Sequence, residues 1–263
     1  MQEREKARRT AIELLAKEDG RYSDLVIPES EKEQQELLRA LMNLRSPMLP
    51  LSADYLRAQD IELQAQKDEK GIVRVSELPE TRYPGLCLWQ GDITRLATDA
   101  IVNAANSALL GCFVPLHRCI DNAIHSAAGL QLRMACYELM QQQGQPEPTG
   151  TAKITPAFNL PSRFVIHTVG PIIQTAQPSS EQEQQLADCY QACLTVADQY
   201  RLQSLAFCCI STGEFRFPNR LAAEIAVRVV RQFLDTKQST LQTVVFNVFK
   251  DEDYRIYQQL LNA

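Results

Sequence analysis

Two cysteines and one histidine near the middle of the chain are residue types that bind zinc. Cys112, His117 and Cys119 fall within eight consecutive residues. Thiolate and imidazole groups are preferred zinc ligands, and three protein ligands leave the fourth position of a tetrahedral ion open for chemistry. Chance proximity is the alternative, because the chain contains eight cysteines. The spacing therefore indicates a candidate catalytic zinc site.

Side chains suited to a nucleotide sugar flank this cluster in the sequence. Asp92 follows a predicted strand, directly after Gly91, and could accept a hydrogen bond from the exocyclic amine of an adenine. Asn103 and Asn106 bring amide donors and acceptors to the end of one predicted strand, which suits the hydroxyl groups of a ribose. Asp121 could orient a water molecule, act as a base or cap the helix that follows. A local turn role is the alternative for Asp92 and the two asparagines.

A polar segment after the buried apolar run of residues 205–210 is a candidate for binding phosphate. Backbone amides at a helix start, next to a permissive glycine, can hold a diphosphate. A Thr-Gly pair is common in proteins, so that by itself it is a weak signal of phosphate binding. The neighbouring Phe217 is interpreted as a hydrophobic anchor. The segment consists of Ser211, Thr212, Gly213, Glu214 and Phe215.

The other cysteines and two of the histidines are interpreted as core residues. A chain of 263 residues with 45% hydrophobic residues can fold without disulfides, and free cysteine packs as a small hydrophobe. His167 lies in an apolar run and is interpreted as structural. His125 is interpreted as a buried or supporting residue rather than a fourth metal ligand. The core cysteines are Cys87, Cys136, Cys189, Cys193, Cys208 and Cys209.

The composition argues against two classes of partner. A net charge of −5 and a pI of about 5.4 give no general attraction to nucleic acid. No apolar run approaches the roughly 20 residues needed to cross a bilayer. The charged first residues are not followed by the apolar segment of a secretory signal. We therefore expect a cytoplasmic protein that binds neither nucleic acid nor membranes.

The chain is predicted to contain a helical lobe, residues 1–75, and an α/β domain, residues 76–263. In the lobe, apolar residues recur at helical intervals after Ser30, which begins a capping-box spacing. From residue 86 onward, apolar runs alternate with helical segments. One of these helices is interrupted near Gly129, and Ser180 is placed as the cap of another. The alternation predicts a mostly parallel sheet covered by helices on both faces, with ligands beyond the carboxyl ends of its strands.

Together these motifs resemble the macrodomain family, whose members bind ADP-ribose. The resemblance extends over about residues 72–263 and implies a three-layer α/β/α fold with a central mixed, mostly parallel sheet. Many macrodomains continue from Leu-Leu-Gly through consecutive glycines to the aspartate, whereas this chain has a longer loop with two cysteines and a histidine. That loop resembles the microbial zinc-dependent macrodomains, which also carry an N-terminal helical lobe. The matching segments are 91–94, 100–107, 109–111, 121–125, 127–129, 210–213 and 249–254.

The resemblance implies a role for each candidate site residue. Asp92 and the amide of Ile93 would bind adenine, with Asn247 or Phe249 at its border. Asn103 and Asn106 would engage the distal ribose, and Asn103 and Asp121 are the predicted catalytic residues. The diphosphate would lie against residues 211–214 and the distal sugar near Phe215. Zinc would be held by Cys112, His117 and Cys119.

The activity implied by the resemblance is zinc-dependent hydrolysis that removes mono-ADP-ribose from modified protein side chains, with Asp and Glu esters as the expected bonds. Zinc could polarise a substrate oxygen or lower the pKa of a bound water, and both roles stay open. Two alternatives share the pocket: a non-catalytic ADP-ribose-binding module and an O-acetyl-ADP-ribose deacetylase. In this subgroup the modified partner can be a lipoyl-carrying protein of the glycine-cleavage H type. The helical lobe could act as a lid or dock the substrate.

Overall fold

The computed structural model describes residues 2–22, 24–236 and 239–262. Three helices begin the chain: α1 (Gln2–Glu18), α2 (Glu31–Leu44) and α3 (Ala53–Lys70). Their apolar faces form a core of their own, to which Leu130 of the following domain contributes. The lobe also contains a buried ion cluster, in which the carboxylate of Glu62 lies 3.0 Å from the guanidinium groups of both Arg4 and Arg8.

A six-stranded sheet forms the centre of the larger domain. Its strands are β2 (Leu86–Gln90), β4 (Ala100–Ala104), β5 (Ala152–Pro156), β6 (Phe164–Thr168), β7 (Ser204–Phe207) and β8 (Thr243–Val248). They are arranged in the order β2-β8-β7-β4-β6-β5, and all neighbours are parallel except β5, which pairs antiparallel with β6 at one edge. The short strands β1 (Val73–Arg74) and β3 (Leu96–Ala97) form a separate parallel pair.

Five helices pack around this sheet. They are α4 (Ile120–Ala128), α5 (Leu130–Gln143), α6 (Ser180–Gln199), α7 (Asn219–Asp235) and α8 (Asp251–Asn262). Residues 100–103 of β4 are all buried, as expected for a strand covered on both faces. The predicted α/β class, with a mixed and mostly parallel sheet and an added helical lobe, is confirmed.

Local details agree with most of the expected elements. Gly129 separates α4 from α5 with a φ of 96°, so that the predicted interruption is confirmed. The predicted cap at Ser180 is wrong by one residue, because Ser179 caps α6 and exchanges hydrogen bonds with Gln182. Ser30 precedes α2 but its side chain makes no capping hydrogen bond. No helix in the described ranges has the length and apolar character that a membrane span requires.

The cysteines assigned to the core lie largely where they were expected. Five of the six are buried, and Cys209 is half-buried just after β7. Burial raises the pKa of the Cys208 thiol to about 12, so that it stays neutral at physiological pH.

Candidate active site and metal centre

The three candidate metal ligands come together in the structure. One ligand atom from each of Cys112, His117 and Cys119 lies within 4.8 Å of the other two. The Cys112 Sγ and His117 Nδ1 atoms are 3.6 Å apart. Ligand atoms around a tetrahedral zinc ion lie about 3.5 Å apart, because Zn–S bonds measure about 2.3 Å and Zn–N bonds about 2.0 Å. The donor set and its spacing therefore fit a zinc ion.

Local hydrogen bonds shape the loop that carries these ligands. The carbonyl of Val114 accepts hydrogen bonds from the N–H of His117 at 3.2 Å and from Nδ2 of Asn122 at 3.1 Å. Cys119 is the N-cap of α4, and its Sγ accepts a hydrogen bond from the N–H of Asn122 at 3.4 Å. Burial raises the pKa of the Cys119 thiol to about 12, and the nearby Cys112 adds to this effect. A bound cation would favour the thiolate instead.

Helix α2 of the lobe also holds this loop. Arg39 Nη2 donates to the carbonyl of His117 at 3.1 Å and to Oδ1 of Asn122 at 2.7 Å. Asn43 Oδ1 accepts a hydrogen bond from the N–H of Leu116 at 3.0 Å, where the backbone has a positive φ of 57°. Sequence reasoning missed Arg39 and Asn43, because both lie in a helix without a recognisable motif. The lobe thus helps to support residues 112–119, the metal loop that carries the three candidate ligands.

A buried carboxylate lies next to the metal loop between two asparagines. Asn103 Nδ2 donates to Asp121 Oδ1 at 2.8 Å, and Asn106 Nδ2 lies 3.3 Å from Asp121 Oδ2. Asn106 Nδ2 is also 3.1 Å from the carbonyl of Gly111, the residue before Cys112. Burial raises the pKa of Asp121 to about 6, although the hydrogen bond from Asn103 opposes the shift. The structure therefore places Asn103, Asn106 and Asp121 in one hydrogen-bonded cluster.

Two buried histidines lie behind this cluster. His167 Nδ1 is 3.2 Å from Asn103 Nδ2, and its Nε2 is 3.0 Å from Thr155 Oγ1. His125 Nε2 lies 3.5 Å from Asp121 Oδ1. Burial lowers the pKa of His167 to about 3 and also lowers that of His125, so that both rings are neutral at physiological pH. Neither histidine belongs to the Cys-His-Cys cluster.

Asp92 lies after β2 in a turn that it stabilises itself. Its Oδ1 accepts hydrogen bonds from the N–H and the hydroxyl of Thr94 at 3.0 and 2.6 Å. Lys70, at the end of α3, lies 3.2 Å from Oδ2. Burial alone would raise the pKa of Asp92, but Thr94 and the charge of Lys70 hold it below its usual range. Ile93 is buried, and the adenine role of both residues stays a prediction.

The two residues expected at the border of the adenine differ in their surroundings. Asn247 is buried on β8, and its Nδ2 donates to the carbonyl of Gly91 at 2.9 Å. Phe249 follows the strand and is 76% exposed. Asn247 therefore supports the turn before Asp92, whereas Phe249 is accessible to a ligand.

The predicted diphosphate segment forms a compact loop between β7 and α7. Ser211 is buried with a positive φ of 64°, and its carbonyl accepts a hydrogen bond from the N–H of Phe217 at 3.0 Å. Phe217 is buried, so that its interpretation as an anchor is confirmed. The carbonyl of Phe215 accepts a hydrogen bond from the N–H of Ile173 at 2.8 Å. Thr212 is half-buried and Gly213 is exposed.

Glu214 of the same loop extends toward His117, one of the candidate metal ligands. Its Oε1 lies 3.7 Å from His117 Nε2, the ring nitrogen that does not face Cys112. A carboxylate on the second ring nitrogen is a common support for a metal-binding histidine. Loop 211–215 and the metal loop therefore lie side by side.

Comparisons with known proteins agree with this architecture. The family model described as Macro domain matches residues 102–226. Proteins named protein-ADP-ribose hydrolase from Treponema medium and from Staphylococcus aureus strain MSSA476 are each 48% identical to this chain. The alignments cover 95% and 90% of this chain and 96% and 88% of those proteins. The chain belongs to the macrodomain family.

Solved macrodomain structures have the same fold. The Oceanobacillus iheyensis macrodomain with ADP is 42% identical, with a TM-score of 0.59 over 66% of this chain and 88% of that one. The Trypanosoma brucei macrodomain in complex with ADP-ribose is 27% identical, with a TM-score of 0.65 over 89% of this chain and 96% of that one. The metal loop, the Asn103–Asp121 cluster and loop 211–215 of this macrodomain all lie within the matched Macro domain segment.

Proposed function

We propose that this macrodomain is a zinc-dependent protein-ADP-ribose hydrolase that removes mono-ADP-ribose from modified protein side chains. The observation that carries the proposal is the convergence of Cys112, His117 and Cys119 within 4.8 Å, beside the hydrogen-bonded cluster of Asn103 and Asp121. Relatives with 48% identity over 90–95% of the chain are named protein-ADP-ribose hydrolase, which supports the hydrolase part of the proposal. The expected location stays the cytoplasm.

The ligand would lie along the carboxyl ends of the strands. Adenine would bind at Asp92 and Ile93, the diphosphate at the loop of residues 211–214, and the distal ribose between Phe215 and the two asparagines. Parallel sheets present ligand sites at this edge, and loop amides near a helix start attract phosphate. The solved Trypanosoma brucei relative is described in complex with ADP-ribose, which supports this choice of ligand.

Cys112, His117 and Cys119 would hold the zinc ion. A zinc ion in such a site supplies a Lewis acid that polarises an oxygen or lowers the pKa of a bound water. The protein contributes orientation: amide hydrogens of Asn103 and Asn106 hold the two carboxylate oxygens of Asp121 in place. A fixed carboxylate can accept a hydrogen bond from the attacking water and direct it at the bond to be cleaved.

The proposed substrate is an ester between ADP-ribose and an Asp or Glu side chain. Hydrolysis consumes one water molecule: the ester is replaced by a hydroxyl on the released ADP-ribose and by a carboxylate on the protein, and one proton is released. The family resemblance suggests a lipoyl-carrying protein of the glycine-cleavage H type as one modified partner. It is therefore the second substrate to test, after an aspartyl-ADP-ribosylated protein.

Metal analysis and an activity assay on Cys119→Ala test the proposal. We expect about one zinc per chain in the wild type, and loss of both zinc and ADP-ribose release in the variant. Cys87→Ala is the matched control, because Cys87 is a buried thiol on β2 outside the metal cluster. Full release of ADP-ribose by a zinc-free Cys119→Ala protein would refute the metal mechanism.

Substrate choice separates the proposal from its two alternatives. Tight ADP-ribose binding in calorimetry, without product from either modified protein, would identify a binding module. Faster hydrolysis of O-acetyl-ADP-ribose than of the modified proteins would identify a deacetylase. We expect faster release from the aspartyl-modified protein.

A further inference from the structure

His167 and Asn103 occupy paired positions on the neighbouring parallel strands β6 and β4. Both residues are completely buried, near the carboxyl ends of the strands. His167 Nδ1 lies 3.2 Å from Asn103 Nδ2. The proposed mechanism uses Asn103 but assigns nothing to the imidazole behind it.

The hydrogen bonds of this pair determine where each proton lies. The amide nitrogen of Asn103 has two hydrogens, and its two neighbours are Asp121 Oδ1 at 2.8 Å and His167 Nδ1 at 3.2 Å. Because an amide nitrogen only donates, His167 Nδ1 must be an unprotonated acceptor. The proton of the neutral ring is then on Nε2, which donates to Thr155 Oγ1 at 3.0 Å. One tautomer of His167 therefore satisfies all these contacts.

The same contacts leave the amide oxygen of Asn103 available. Oδ1 is buried, and no donor within the described part of the chain is in hydrogen-bond range. A 180° rotation of the amide would turn this oxygen toward the Asp121 carboxylate, an acceptor that would repel it, so that the carboxylate selects the orientation of the amide. The imidazole then holds this orientation by accepting the second amide hydrogen. A buried acceptor without a donor is costly, and a ligand hydroxyl can remove that cost.

We propose that His167 is a positioning residue for ADP-ribose, which holds the Asn103 amide with its oxygen directed at a hydroxyl of the distal ribose. The inference rests on the proposed function for the identity of the ligand. His167 acts through Asn103 and does not contact the sugar. A purely structural histidine would affect folding stability, whereas a positioning role requires an acceptor at the place of Nδ1.

Two substitutions at His167 separate these roles. His167→Asn keeps an amide oxygen near the position of Nδ1, next to Asn103. His167→Gln places its amide near the position of Nε2, next to Thr155, and removes the acceptor at Nδ1. We expect calorimetry to show ADP-ribose affinity within about threefold of wild type for the Asn variant. For the Gln variant we expect about tenfold weaker binding, since one hydrogen bond contributes about 1.4 kcal/mol.

A double-mutant cycle with Asn103→Ala tests whether the effect passes through that amide. The combined variant Asn103→Ala/His167→Gln should bind ADP-ribose as weakly as Asn103→Ala alone, because the residue to be positioned is already gone. Additive losses, equal losses in both His167 variants, or wild-type affinity in His167→Gln would each overturn the inference. Thermal unfolding of every variant shows whether a loss of affinity comes from unfolding.

The tautomer of His167 can be measured in the unaltered protein. Long-range proton–nitrogen NMR spectra should show a protonated Nε2 and an unprotonated Nδ1, and a protonated Nδ1 would overturn the inference even if the variants do not fold. Failure of the proposed hydrolase activity can be distinguished from failure of the proposed role of His167. A protein that binds ADP-ribose but releases none from modified proteins refutes that activity, while the binding measurements still decide the role of His167. A wild-type protein that binds no ADP-ribose refutes both.

Discussion

Asn43 in helix α2 accepts a hydrogen bond from the main-chain N–H of Leu116, one residue before the candidate metal ligand His117, at 3.0 Å. The two residues are 73 positions apart in the chain. Leu116 has a positive φ, a conformation that costs a non-glycine residue free energy unless its surroundings hold it. The N-terminal lobe therefore supports the conformation of the loop that carries the candidate metal ligands.

Removing this support should weaken metal binding. Asn43→Ala and Arg39→Ala should each reduce zinc affinity by about tenfold or more, as is typical when supports of metal ligands are lost. Competition with a chromogenic chelator measures the affinity. Asn43→Asp keeps the acceptor for Leu116 and should lose less affinity than Asn43→Ala, and Arg57→Ala on the exposed face of α3 is a neutral control. Unchanged zinc affinity in both alanine variants would show that the loop folds without the lobe.

Gly111, the residue before Cys112, cannot accept a side chain. Its φ is +78°, and a Cβ there would lie 2.8 Å from Cγ of the buried His125 ring. Gly111→Ala should therefore lower the free energy of unfolding by about 1–3 kcal/mol. Urea denaturation measures the loss. Gly20→Ala, where nothing lies within 4 Å of the added carbon, should change stability much less. Equal effects of the two substitutions would contradict the close packing of Gly111 on His125.

Buried neutral histidines should make the protein less stable in acid. The pKa of His167 falls from 6.5 when exposed to about 3 when buried, so that the unfolded chain binds a proton that the folded chain does not. The contribution of His167 to the free energy of unfolding is fully present above about pH 6.5 and is lost as the pH decreases toward 3. His125 acts in the same direction, whereas the raised pKa of Asp121 opposes both.

A variant isolates the contribution of His167 to this pH dependence. Urea denaturation between pH 7.5 and pH 5 should show a smaller loss of stability for His167→Asn than for the wild type, because the variant has no group at that position that titrates in the range. If the free energy of unfolding changes with pH in the same way in both proteins, the buried imidazole of His167 does not cause the loss of stability in acid.

Glu62 should be essential to the lobe. It is completely buried and is paired with Arg4 and Arg8, so that Glu62→Ala leaves their guanidinium groups with only the exposed carboxylate partners Glu31 and Glu69. We expect a loss of about 3 kcal/mol in the free energy of unfolding. Glu69→Ala removes an exposed partner of Arg4 and should cost less than about 1 kcal/mol. Calorimetric unfolding compares the two variants. Similar losses of stability in both variants would show that the burial of Glu62 does not make its ion pairs more important than the exposed pair of Glu69.

The part of the site that sequence reasoning predicted best is local in the chain. The candidate ligands and the Asn103–Asp121 cluster fall within residues 103–121, so that one strand, one loop and one helix start bring them together. Apolar runs were less informative about strand ends. Residues 208–210 continue the apolar run of β7, but the strand ends at Phe207, because burial alone does not require ladder hydrogen bonds.

Contacts between distant parts of the chain were not predicted. Arg39 contacts Asn122 across 83 positions, and Lys70 contacts Asp92 across 22. Both residues lie on helices among many other charged and polar side chains, so that nothing in their spacing distinguishes them. The pairing of His167 with Asn103 was not predicted for a related reason: an apolar run predicts a buried strand but not which residue on the next strand faces it.

Among its contacts with the larger domain, the lobe reaches Asp92 through Lys70 and the metal loop through Arg39 and Asn43. A protein engineer who grafted residues 109–121 onto a macrodomain without such a lobe would transfer the two cysteines and the histidine but leave their scaffold behind. Transplanting the candidate metal centre would therefore require helix α2 as well as the loop.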